Sequence, residues 1–217
     1  MTNTTKNKSL LLPTIIRHIY YAFFTAFLAI ASTSASHAEE QTATFAGGCF
    51  WCSESDFEKL DGVIAVSSGY IGGHLKNPSY KQVSSGSTGH TEGVQITFDS
   101  QKISYSTLME FFWKSIDPID GGGQFCDRGQ HYRSEIFYHS EEQRKIAVQS
   151  HRALNNSAVL GAPIATKITA ASIFYPAEDY HQDYYLKNPL RYNYYRWGCG
   201  RDKRLEEIWG KPPEKEQ

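Results

Sequence analysis

The chain lacks an excess of charge of either sign. Lys and Arg number 22 against 23 Asp and Glu, a net charge of −1 over 217 residues, so no basic field marks a nucleic-acid partner. Cysteine is scarce as well. Four cysteines in a chain of this length do not make a disulfide scaffold. Only Cys49 and Cys52 are close in sequence, and Ser53 stands where haem attachment would need a histidine. No second close pair accompanies them, which argues against zinc, so no metal is expected. No repeat, linker or low-complexity block interrupts Glu39 to Gly210. The apolar run IYYAFFTAFLAIA, Ile19 to Ala31, falls short of the roughly 20 residues a spanning helix needs.

That run has a recognisable setting. Lys6, Lys8 and Arg17 precede it and the small-residue stretch STSASHA follows, the order of a secretory signal. Residues 1–38 are therefore expected to be a signal peptide cleaved after Ala38, with an uncleaved membrane anchor as the alternative, and the protein to be exported to a periplasmic or other extracytoplasmic space. Removing three basic residues leaves 19 against 23 acidic ones, a net charge of −4. Residues 39–210 read as a single domain and residues 211–217, KPPEKEQ, as a polar tail. All four cysteines remain, in a compartment that permits disulfides, and thiols that cycle fit better than a fixed framework.

Periodicity gives the coarse structure. Thr42 to Ala46 reads as a strand ending at Gly47-Gly48, and helical spacing begins near Cys49. Val63 to Tyr70 reads as a buried strand, and Gly72 to Gly93 as a long loop. In VQITF, Val94, Ile96 and Phe98 alternate as in a strand. Tyr105, Leu108, Met109, Phe112, Trp113 and Ile116 recur with the period of an amphipathic helix. Ser134 to Tyr138 reads as a strand. Ser140-Glu141-Glu142-Gln143 is a capping-box signature for a helix to about Asn155. Ile168 to Phe174 predicts a last strand and Ala177 to Leu186 a short helix. The mixture points to an α/β or α+β sandwich.

The chemistry centres on GGCFWCSE, Gly47 to Glu54. Cys49 stands where a strand passes through two glycines into a helix, so helix N-terminal amides are expected to lower its pKa and favour the thiolate. Cys52, one turn in, gains less. Phe50 and Trp51 suit core packing, or together an apolar cup that accepts a methyl group and rejects charge.

From these residues outward the chain resembles the peptide methionine sulfoxide reductases of the A type. GCFW (Gly48 to Trp51), GYIGG (Gly69 to Gly73), NPSYKQVSSGSTGHTEGV (Asn77 to Val94), DRGQHYRS (Asp127 to Ser134) and FYPAEDYHQDYYLKNP (Phe174 to Pro189) carry the resemblance. Cys52 and Gln130-His131 depart from the pattern of many members, which have Gly and Thr-Gln there. The resemblance implies an α+β fold: a mixed sheet flanked by helices, a ferredoxin-like core and a long C-terminal coil. It implies reduction of methionine-S-sulfoxide, free or in oxidised proteins and peptides, without a cofactor. Cys49 would be the nucleophile, Glu92 the acid, Tyr80 and Tyr132 the hydroxyls on the sulfoxide oxygen, and Asp127 a fixer of the polar network. Phe50 and Trp51 would bind the substrate's methyl.

Attack would leave a sulfenic acid on Cys49 for a second thiol to resolve. Cys199, flanked by glycines in WGCGRD, is the favoured thiol, with Cys52 and Cys126 as alternatives; Cys126 also reads as a buried, inert small hydrophobe. RYNYYRW, Arg191 to Trp197, would pack the C-terminal segment back over the domain. A thioredoxin-like dithiol reductant would close the cycle, and a monomer is expected. Two rivals are a thioredoxin-type disulfide oxidoreductase that uses the CxxC alone, and an exported binding module with a structural Cys49–Cys52 bridge.

Overall fold

The computed structural model describes residues 1–2 and 39–211, so the signal segment and the tail expected from sequence lie, apart from residues 1, 2 and 211, outside the described residues. Among the described residues no helix is long and apolar enough to cross a membrane.

A six-stranded mixed sheet forms the centre. Its strands are β1 (Glu40–Gly47), β2 (Val63–Ile71), β3 (Thr91–Asp99), β6 (Ser134–Tyr138), β7 (Lys167–Ala170) and β8 (Tyr175–Pro176), in the order β7-β6-β1-β3-β2-β8. Only β6 and β7 run parallel. Two short strands, β4 (Gly123–Gln124) and β5 (Asp127–Arg128), form a separate hairpin. Helix α1 (Phe50–Phe57) follows β1, α2 (Tyr80–Ser84) lies between β2 and β3, and α3 (Tyr105–Lys114) follows β3. The succession β1-α1-β2-β3-α3-β6, with strand order β6-β1-β3-β2, is the expected ferredoxin-like core.

Alternation along β1 divides the interior. Phe45 points to the face covered by α1 and α3, stacking on Phe57 at 5.5 Å and on Phe112 at 4.8 Å. Ala46 points the other way, into a smaller cluster with Ile71 and Phe137. The apolar repeat in α3 buries Leu108, Met109 and Phe112 against the first face, and Ser104 caps that helix by accepting the Thr107 N–H at 3.1 Å. Helix α4 (Glu141–Asn156) starts as its signature predicts, Ser140 Oγ accepting the Gln143 N–H. The Gln143 side chain completes no box, because its Oε1 accepts from His139 N and its amide donates to Thr42 O.

Four local readings change. The expected loop from Gly72 to Gly93 contains α2, opened where Ser79 N–H donates to Gln82 Oε1 at 2.9 Å. The expected strand from Ile168 to Phe174 stops at Ala170, because its partner β6 ends at Tyr138 and the last rung is Ala171 N–H to Tyr138 O. The expected helix over Ala177 to Leu186 shrinks to α5 (Tyr184–Lys187), and residues before it bond elsewhere: Glu178 to Tyr70 and Tyr80, Gln182 to the backbone of Ser68. The C-terminal stretch expected as coil carries α6 (Pro189–Gly198) and α7 (Arg201–Trp209). Pro189 opens α6, and Gly200, at φ +68°, joins it to α7.

Arg201 anchors this C-terminal arm. It is 2 % exposed, donates to Gly47 O and Ser115 O, and lies over the Phe125 ring. Only one side of RYNYYRW packs inward: Tyr192 is buried, while Tyr194 and Trp197 remain mostly exposed.

Candidate active site

The end of β1 turns sharply into α1 at Gly48, whose φ is +82° and where a Cβ would stand 2.6 Å from Gln124 Cβ. Both the backbone angle and the close approach require glycine. The turn sets Cys49 at the N-cap of α1, with Phe50 its first residue. The β2–β3 register pairs Tyr70 with Glu92 and brings the Glu92 side chain under the same turn. There Glu92 Oε2 accepts the Phe50 N–H at 3.1 Å. Cys49 and Glu92 are 6 % and 2 % exposed, so the thiol and the carboxyl meet in a site closed to bulk water.

Their electrostatics follow from that closure. Burial, opposed by the single Phe50 hydrogen bond and reinforced by Asp127 and Cys52, pushes the Glu92 carboxyl well above the usual carboxylate range. Burial also pushes the Cys49 thiol well up, aided by its hydrogen bond to Cys52 and by the charges that Cys52, Glu92 and Asp127 carry when ionised. Cys52 moves down because it accepts that S–H and faces Arg201 and Arg196. The raised Cys49 thiol corrects the expectation of a low Cys49 pKa from the helix N-terminus: the leading amide of α1 is given to Glu92, and burial among acids outweighs what remains.

Three hydroxyls surround the pair. Tyr80 and Tyr132 are half-buried, close to each other and close enough to feel both Glu92 and Cys49. Burial, with Glu92 beside them, keeps both phenols protonated. Tyr80 is held by its N–H to Glu178 Oε1, and the short helix carrying Tyr132 by Thr91 Oγ1, which donates to His131 O and Arg133 O. Tyr195 on α6 was not singled out in the sequence. Its hydroxyl donates to Asp127 Oδ2 and lies close enough to Cys49 to feel its charge. Its signal was the i,i+3 spacing of Tyr192 and Tyr195 within RYNYYRW, which places both on one helix face. Asp127 sits on β5, and burial raises its carboxyl.

Phe50 and Trp51 follow Cys49 at the start of α1, and each has packing partners. Phe50 is 1 % exposed and tilts against Tyr70 and His181. Trp51 stacks on Tyr184 at 3.6 Å, and its indole N–H donates to His181 Nδ1 at 2.9 Å. His181, Tyr184 and Arg201 were missed because each acts from a segment more than a hundred residues away in sequence.

Cys126 and Cys199 are joined in a disulfide 73 residues apart in sequence, and Cys126 is exposed rather than a buried, inert hydrophobe. Cys199 caps α6 between two helices. Cys49 and Cys52 are free, so no structural bridge joins them. Among the described residues two groupings have metal-like spacing, Cys126/Asp127/Cys199 and Glu54/Glu58/Asp183; the first contains the disulfide, whose sulfurs are not thiolate ligands.

Comparison with known proteins agrees with this geometry. Residues 41–213 match the family model for peptide methionine sulfoxide reductase. The MsrA of Bacillus licheniformis is 52 % identical over 173 residues, 80 % of this chain and 96 % of that protein. The Vibrio cholerae MsrA/MsrB is 52 % identical over 181 residues, 83 % of this chain but 47 % of that longer protein. Among solved structures, methionine sulfoxide reductase A of Corynebacterium diphtheriae superposes with a TM-score of 0.63 at 32 % identity, covering 75 % of this chain and 81 % of that one. Mxr1 of Saccharomyces cerevisiae in reduced form gives 0.61 at 33 % identity, covering 69 % and 86 %. The chain belongs to the peptide methionine sulfoxide reductase family.

Proposed function

We propose that the chain is a peptide-methionine (S)-S-oxide reductase, acting on methionine-S-sulfoxide in proteins and as the free amino acid. The observation that carries the reading is the contact between a buried carboxyl and the residue following a buried thiol, Glu92 Oε2 on Phe50 N–H. A sulfoxide sulfur accepts a nucleophile only if its oxygen can leave as a protonated group. Glu92 gives its proton to that oxygen. Tyr80 and Tyr132 hold the oxygen, and Phe50 and Trp51 take the methyl. The Cys49 sulfur attacks and its proton passes to Cys52, the partner it already bonds. Oxygen ends on Cys49 as a sulfenic acid and methionine departs.

The disulfide produced by resolution is reduced by a dithiol protein of the thioredoxin type. Export, with cleavage after Ala38, rests on the order of basic, apolar and small residues before Glu39; the reductant would then be a thioredoxin-like domain supplied with electrons across the membrane. The enzyme acts as a monomer in this reading. N-terminal sequencing of the protein from an extracytoplasmic fraction checks the export step.

The deciding experiment is turnover of separated S and R sulfoxide epimers by the parent and by Cys49→Ser. S preference in the parent and no turnover in the variant are expected. Undiminished turnover in the variant would remove Cys49 from the reaction.

A further inference from the structure

Tyr80 opens α2, a helix of five residues. A helix that short does not hold itself in water, so the place of the Tyr80 phenol is set by what its backbone is tied to. The acceptor for the Tyr80 amide is Glu178 Oε1, at 2.9 Å. The other oxygen of the same carboxyl, Oε2, accepts the Tyr70 O–H at 2.8 Å. Tyr70 is fully buried on β2, pairs with Glu92 in the β2–β3 register, and lies with its ring centre 5.9 Å from that of Phe50. One side chain thus joins the residue that holds the sulfoxide oxygen to the strand pair that presents the acid.

Resting on the methionine sulfoxide reading above, we propose that Glu178 is a positioning residue for that reaction: by holding the Tyr80 amide and the Tyr70 hydroxyl together, it sets where the Tyr80 phenol meets the sulfoxide oxygen.

Glu178 is itself fixed. It follows β8, and the segment around it is tied to β2. Ala177 N–H donates to Ser68 O at 2.8 Å, and the Gln182 side-chain amide donates to Ser68 O and accepts from Ser68 N–H, both at 2.9 Å. Within the segment, His181 N–H donates to Glu178 O at 2.8 Å, and the His181 ring centre lies 4.5 Å from that of Tyr80. The tether therefore runs from a strand of the central sheet, through one carboxyl, to the first residue of α2.

Charge suits this task. Burial opposes ionisation of Glu178, but the Tyr80 amide, its own amide and the Tyr70 hydroxyl outweigh it and hold the carboxyl below its ordinary value. An ionised carboxylate accepts at both oxygens, and bonds to a charged acceptor are the stronger kind. Glu92, raised by burial, is in the opposite state. The two carboxyls divide the work: Glu92 gives a proton, and Glu178 keeps its charge and holds a donor in place.

A residue that served stability alone would slow the enzyme whether or not Tyr80 carried a hydroxyl. A positioning residue acts only through that hydroxyl, and a double-mutant cycle separates the two cases. Single-turnover methionine formation from methionine-S-sulfoxide is measured for the parent, Glu178→Ala, Tyr80→Phe and the double variant, each well below its thermal midpoint. Glu178→Ala should slow the parent by roughly ten- to a hundredfold. In the Tyr80→Phe background the same change should cost less than about twofold. Glu178→Gln should stay within about threefold of the parent, because its Oε1 still accepts the Tyr80 N–H and its amide donates to the Tyr70 hydroxyl. Tyr70→Phe, which removes only the Oε2 contact, takes the place of Glu178→Ala in the cycle if that variant does not fold. Equal losses in the parent and Tyr80→Phe backgrounds would overturn the role while leaving the reductase reading intact, and so would a Gln variant as slow as the Ala variant. No methionine from the parent would overturn the reductase reading, and the role of Glu178 with it.

Discussion

Two buried glutamates touch the eight-residue helix α1, and they teach different things. Glu92 lies against its N-terminus, 2 % exposed, among two thiols, Asp127 and two phenols. Glu54 lies on the helix itself, 0 % exposed, and its Oε2 accepts the Asp183 N–H at 3.1 Å. Both carboxyls are raised, chiefly by burial, Glu54 to about 7. Burial alone therefore does not make a catalytic acid. Glu92 has a nucleophile and hydroxyl donors around one space; Glu54 has Glu58 and Asp183, and clamps the segment that carries Tyr184 under Trp51.

Substitution separates the two roles. Glu92→Gln keeps the Phe50 hydrogen bond but has no proton to give, so single-turnover methionine formation should fall by ~10²–10⁴-fold. The alkaline limb of the parent's rate profile should go with it. In the proposed reaction the acid form is the active one and its pKa is raised, so the parent rate declines only as pH climbs past the folded value, above the ordinary carboxylate range. Glu54→Gln should keep that limb and stay within about tenfold of the parent rate. A larger loss there would mean that the clamp and the acid cannot be told apart.

The hydroxyls come next in size. Removing both in Tyr80→Phe/Tyr132→Phe should cost roughly 10²–10³-fold in single-turnover rate, with little change in thermal midpoint. Gly48→Ala tests the turn that brings Cys49 to Glu92. A left-handed backbone angle costs an L-residue about 1–2 kcal/mol, and the approach to Gln124 adds to it, so a denaturant midpoint should drop accordingly.

The smallest effect is the pH dependence of Glu54. Its folded value, about 7, lies above the ordinary 4.5, so its ionised form is the one disfavoured by folding. Its stability is fully present below the ordinary value and is lost as pH rises towards the folded one. The parent's thermal midpoint should fall more between about pH 5 and about pH 8 than that of Glu54→Gln. Equal falls would place Glu54 in a wetter setting than its burial implies.

Much of this was legible from sequence where one local rule decided the outcome. The apolar repeat from Tyr105 fixed α3, alternation in VQITF fixed β3, and Ser140 opened α4. The candidate site residues were picked out by blocks in register, and the fold brings Cys49, Glu92, Tyr80, Tyr132 and Asp127 into one electrostatic neighbourhood. What failed depended on long-range partners. Nothing near Cys49 reveals that its neighbour's amide is given to a residue 42 positions on. Ala177 to Gln182 has helical composition, yet Glu178 and Gln182 spend their side chains on β2 and Tyr80. The Cys126–Cys199 bond spans 73 residues and shows no spacing rule.

Infrared difference spectra of the parent and Glu92→Gln at neutral pH bear most directly on the state of Glu92. Loss of a protonated-carboxyl carbonyl band in the variant is expected, with the Glu54 band untouched. If the variant instead loses only ionised-carboxylate bands, Glu92 carries no proton to donate and the reaction needs another acid.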